Sequence, residues 1–72
     1  MLYPYLTKRI LTTLLAAEKN KKPIPLDEAR KLWGKGSTWD DLVAGGYIQR
    51  TPEAVTVTKR GKVWLENHKD IK

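Results

Sequence analysis

Leu42-Val43-Ala44-Gly45-Gly46-Tyr47-Ile48, then a polar turn, then Val55-Thr56-Val57-Thr58-Lys59-Arg60-Gly61-Lys62-Val63-Trp64-Leu65, carry the densest structural information in this chain. Gly45 and Gly46 close an apolar helical stripe, where a chain leaving a helix needs a residue that tolerates positive φ. Tyr47-Ile48 opens a strand. Val55 and Val57 alternate with Thr56 and Thr58 at period two, the pattern of a half-buried strand. Thr58 has the side-chain oxygen of an N-cap, able to accept from an amide two or three residues on. Val63, Trp64 and Leu65 then offer apolar groups to dock a last helix. The local reading is a helix, a tight exit, a hairpin and a returning helix.

These residues also carry a family likeness. Leu42-x-x-x-Gly46-Tyr47-Ile48 resembles the end of a winged-helix recognition helix running into its wing. Val57-Thr58-x-x-Gly61-x-x-Trp64-Leu65 resembles the strand that leaves the wing and enters the C-terminal helix. The resemblance spans Leu6 to Asn67 and implies a nucleic-acid-binding fold. The expected class is α+β: a winged helix-turn-helix of three helices, a small β-hairpin wing and a C-terminal helix, as one domain over residues 1–72.

Working upstream, the second helix is expected from Leu26 to Trp33. Asp27 and Glu28 in its first turn and Arg30 and Lys31 in its second half complement the helix dipole. Leu26, Ala29, Leu32 and Trp33 give it an apolar face. Gly34-Lys35-Gly36 makes a turn, and Ser37 or Thr38 is the expected cap of the third helix. Ser37-x-x-Asp40 and Thr38-x-x-Asp41 both approximate a capping box with Asp in place of Glu. Trp39, Leu42 and Val43 face inward at i, i+3, i+4 spacing. Helix, glycine turn and helix make a helix-turn-helix unit.

The first helix is expected from Pro4 to about Lys19, with Pro4 in the first turn, where its missing amide hydrogen costs nothing. Leu6, Ile10, Leu14 and Leu11, Leu15 form its apolar face. Two prolines bracket Ile24 and forbid helix from Asn20 to Pro25. In the winged-helix pattern this piece lies extended against the wing with Ile24 buried. Gln49 to Ala54 is the expected wing tip, and Lys69 to Lys72 a fraying tail. A chain this short buries only about 60% of its unfolded surface. Trp33, Trp39 and Trp64 are therefore expected to be at least half buried.

Composition narrows the chemistry. Fourteen basic residues against eight acidic ones give a net charge of +6, which favours polyanionic partners. There is no cysteine to bridge or to ligate zinc, and His68 is the single histidine. Asp40-Asp41 are neighbours on a helix and point about 100° apart, so they do not converge on one substrate atom. Gly34-Lys35-Gly36-Ser37 follows a helix and lacks the spacing of a phosphate loop. No enzyme activity, cofactor or metal is expected. No apolar run approaches the ~20 residues that cross a bilayer, and the lack of cysteine fits a reducing cytoplasm.

In a helix-turn-helix protein the second helix of the unit enters the major groove, and its first residues reach base edges. The candidate DNA-binding residues are Lys35, Ser37 and Thr38 there, Lys31 on the supporting helix, Arg50 in the wing, and Lys59 and Arg60 opening the last helix. The expected function is double-stranded DNA binding by a transcriptional regulator or accessory factor. The short third helix bears Asp40 and Asp41 and no arginine, which departs from the family pattern. The alternative is a winged-helix protein-interaction module, with a protein partner or a homodimer. A membrane-surface role for the first helix conflicts with the need for its apolar face in the core.

Overall fold

Helix exits, rather than helix starts, set the course of the backbone. The computed structural model describes residues 3–70, so Ile71 and Lys72 of the tail lie outside the described residues. Helix α1 (Pro4–Lys19) begins at Pro4, as its fixed φ favours, and ends in a Schellman motif. The Lys22 amide donates to Ala17 O at 3.0 Å and the Lys21 amide to Glu18 O at 3.0 Å. Lys21 takes the left-handed position at φ 59°. The same motif ends α3 (Ser37–Ala44), where Tyr47 donates to Leu42 O at 3.0 Å and Gly46 to Val43 O at 3.2 Å. There Gly46 is the left-handed residue at φ 75°, while Gly45 is ordinary at φ −80°.

Between them, α2 (Leu26–Trp33) carries Asp27 and Glu28 in its first turn, as expected. The expected capping boxes are absent. Gly36 is the N-cap of α3 with no side-chain bond, Ser37 is already helical, and the Thr38 side chain is only 2% exposed. An extended Gly36 leaves both hydroxyls one or two positions too late to cap. Gly36 itself is an accepted N-cap residue.

Strands β1 (Ile48–Arg50) and β2 (Val55–Val57) pair antiparallel, with Ile48 opposite Val57 and Arg50 opposite Val55. The wing tip is shorter than expected, because Gln49 and Arg50 belong to the strand. Thr51 and Ala54 close the turn with reciprocal backbone bonds of 2.9 and 3.2 Å. The amides of Val55 and Val57 point away from β1 and must find other acceptors. Val55 donates to Ile24 O at 2.8 Å, so Ile24 is the extended piece against the wing, part-buried. Val57 donates to the Glu18 carboxylate of α1 at 3.3 Å. A side chain thus stands in for a third strand.

Replacing Glu18 by Ala leaves that buried-strand amide without its acceptor. The expected cost is about 1–3 kcal/mol in urea denaturation, the usual penalty for an orphaned buried donor. Glu18→Gln keeps an acceptor oxygen and should cost less than half as much. Equal losses for the two variants would refute the role of the carboxylate.

Helix α4 (Lys59–Asn67) is capped by Thr58, whose Oγ1 accepts from the Gly61 amide at 3.2 Å and donates to Gly46 O at 2.6 Å. Trp64 stacks on His68, with ring centroids 4.0 Å apart and planes 11° apart. His68 Nδ1 lies 2.7 Å from Trp64 O; a carbonyl only accepts, so Nδ1 carries the proton. At the start of the tail, Lys69 pairs with Glu66 at 2.7 Å, and the Lys69 carbonyl accepts from Lys8 Nζ at 3.1 Å.

Ile10, Leu11, Leu14, Ala29, Trp39, Leu42, Ile48, Val55 and Val57 form the buried core. Trp33 and Trp64 are more than half buried against it, and Trp33 stacks on Trp39 at 6.3 Å. Three expected core residues lie outside: Leu32 is 57% exposed, Val63 51% and Leu6 36%. Each sits on the apolar side of its helix with a large part of its side chain left in solvent. The fold is α+β, four helices and a two-stranded hairpin, in a layout compatible with a winged helix. Among the described residues no helix is long and apolar enough to cross a membrane.

Candidate nucleic-acid interface

The seven residues singled out from the sequence fall into separate neighbourhoods. Arg50 is exposed at the end of β1, beside the turn that closes the wing. Antiparallel pairing with Val55 fixes its backbone, so its place on the wing follows from the register. Glu53 is exposed on the turn that follows, three residues beyond that arginine in the sequence.

Lys59 and Arg60 are exposed in the first turn of α4. The Thr58 cap brings this turn against the exit of α3, because Thr58 bonds Gly46 O through its hydroxyl and Tyr47 O through its amide at 3.1 Å. The Arg60 guanidinium then lies over the Tyr47 ring, 5.0 Å from its centroid. The ring face attracts the cation there, and Arg60 remains exposed to an anion from solvent. Lys62 is exposed one position beyond Gly61 and adds a third cation to this end of the helix. Tyr47 and Lys62 were not among the expected site residues. The signal for Tyr47 was its place immediately after the glycine exit.

Lys31, Lys35 and Thr38 are brought together elsewhere, along a crevice shared with Leu6, Ile10, Leu32, Trp33 and Gly36. Thr38 contributes no free hydroxyl to a DNA surface, since its side chain is buried, and it drops out of the candidate set. Ser37 is exposed at the start of α3. The rest of the exposed face of that helix is Asp40 and Ala44, with Asp41 part-buried. Comparison with family models, curated proteins and solved structures finds no match for this chain. Its functional reading rests on this geometry.

The first turns of the helices differ in sign. Helix α2 opens with Asp27 and Glu28 and α3 with Asp40, each favourable at the positive end of a helix dipole. Helix α4 has no acid there and instead carries Lys59 and Arg60. Two cations at a helix N-terminus oppose the dipole by roughly 0.3–1 kcal/mol each. Together with the dipole they make a strongly positive corner suited to phosphate.

Proposed function

We propose that this chain is a winged-helix protein that binds double-stranded DNA chiefly through its wing and the start of α4, as a cytoplasmic transcriptional regulator or accessory DNA-binding factor. The observation that carries the reading is the cationic first turn of α4, which disfavours folding and makes chemical sense beside a polyanion. Arg50 supplies the wing contact, and Lys59 and Arg60 supply phosphate contacts at the adjoining corner. Ser37 adds a hydroxyl at the start of α3. Asp40 limits how closely the rest of α3 approaches phosphates, so recognition is dominated by the backbone and reads sequence weakly.

An anisotropy titration of mixed-sequence duplex at two salt concentrations tests this. Affinity should fall steeply with salt, and Arg50→Ala, Lys59→Ala and Arg60→Ala should each lower the log–log slope by about one. Lys19→Ala, in the last turn of α1, should leave the slope unchanged. Asp40→Asn and Glu53→Gln should each tighten binding by removing like-charge repulsion. Salt-independent binding, or an equal response to Lys19→Ala, would refute the DNA reading and favour a protein-interaction module.

A further inference from the structure

Leu6 and Ile10 of α1, Leu32 and Trp33 of α2, and Gly36 and Thr38 beyond them line a crevice of about 210 Å³ where three helices meet. It is smaller than the ~300–1,000 Å³ of typical small-molecule sites, a volume suited to an anchoring side chain rather than a whole ligand. Its rim is apolar and uncovered, since Leu32 and Leu6 are both exposed. Among the described residues the charged groups in the lining are Lys31 and Lys35, and none is a carboxylate. Neither lysine has an ion-pair partner among the described residues, where Lys69 and Glu66 do pair. Exposed leucines between two uncompensated ammonium groups call for apolar side chains flanked by carboxylates.

We propose that this crevice docks an acidic amphipathic helix of a protein partner. The lining comes from α1, α2, α3 and the Lys35–Gly36 turn, and no strand of the hairpin borders it, so it presents no strand edge to which an extended peptide could add. Recognition must then run through side chains, at the i, i+3 or i+4, i+7 spacing of a helix laid in a groove. A second copy of this chain is a poor occupant. A two-fold contact through this patch would set Lys31 and Lys35 against the same lysines. Duplex DNA would engage Lys31 and Lys35 but would leave Leu6 and Leu32 against phosphates that gain nothing from them, so an apolar-anchored partner uses more of the site. The site shares no residue with Arg50, Lys59 or Arg60, so it stands independently of the DNA reading.

The probe is a synthetic helix-forming peptide with leucine and tryptophan anchors at that spacing and glutamates beside them, titrated into the ¹⁵N-labelled chain. Amide shifts should move in residues 6–10 and 31–38. Leu32→Ser, and separately Lys31→Glu with Lys35→Glu, should weaken binding by about tenfold or more, as expected for central anchors and complementary charges. These side chains are exposed, so the Leu32→Ser protein should melt close to the parent, and the doubly Glu-substituted one should lose only the favourable charge of Lys31 at the end of α2. A peptide with lysines replacing its glutamates should bind the doubly Glu-substituted protein better than the parent. Arg50→Ala should leave peptide affinity unchanged. The proposal fails if the shifts fall on the wing and α4, if the variants bind as the parent does, or if charge reversal has no effect. It fails equally if shifts in residues 6–10 and 31–38 follow protein concentration without peptide, or if duplex DNA alone produces them.

Discussion

Trp39→Ala should lower the unfolding free energy by about 3–5 kcal/mol, the usual range for removing a large buried aromatic. Trp39 is 3% exposed, packs in the core with Leu42, and supports Trp33 through a stack at 6.3 Å. Deleting it leaves a void and also strips the support from Trp33. A small domain has about 5–15 kcal/mol of total stability, so this one change removes a large share. The melting temperature should fall by more than about 12 °C, at the 4–8 °C per kcal/mol typical of this chain length. The near-UV circular dichroism of the remaining tryptophans should weaken in parallel. Leu32→Ala is the contrast: its side chain lies mostly in solvent, and its effect should stay within about 0.5 kcal/mol. If the two variants melt alike, the helical core is arranged differently from the one described.

That contrast marks the boundary of what the sequence discloses. Trp39 and Leu32 are both large apolar residues at helical spacing on the expected inner face. Periodicity says which side of a helix is apolar; it does not say whether another element covers that side. Leu6, Leu32 and Val63 are exposed for this reason, and two of them create the crevice. The elements themselves were legible because their signals were local: Pro4 and the Pro23–Pro25 pair bound α1 and α2, Gly46 closes α3, and period-two valines mark β2. Lys21 in a left-handed conformation has no such signature, because glycine ordinarily holds that place. Glu18 did leave a trace. A carboxylate in the last turn of a helix opposes the dipole, and its compensation is the Val57 amide. Of the site residues, Arg50, Lys59 and Arg60 could be placed from the hairpin pattern alone. Thr38 could not, since either neighbouring hydroxyl suited a cap and burial depends on how α3 rolls onto α1.

The corner that holds the proposed phosphate contacts depends on a single missing methyl group. Gly61 is buried in α4, and a Cβ built there would run into Tyr47 O and lie 2.7 Å from Val57 Cγ1. In an exposed helix interior Gly→Ala stabilises by roughly 1 kcal/mol. Here the sign should reverse. The obstacle is the backbone carbonyl of Tyr47, which already accepts from the Thr58 amide and cannot rotate aside. To admit the methyl group, α4 must move outward, and the Gly61 to Thr58 cap bond and the Thr58 to Gly46 bond must stretch with it. Gly61→Ala should therefore cost about 3 kcal/mol, the upper part of the overpacking range. It should also loosen the Arg60 stack on Tyr47 and weaken duplex binding in the fraction that remains folded. Urea denaturation followed by tryptophan fluorescence measures the first effect, and anisotropy well below the melting temperature measures the second. A Gly61→Ala protein as stable as the parent would mean that α4 does not rest on the Tyr47 carbonyl. One that is destabilised yet binds duplex with the parent's affinity and salt slope would separate the docking of α4 from the DNA surface.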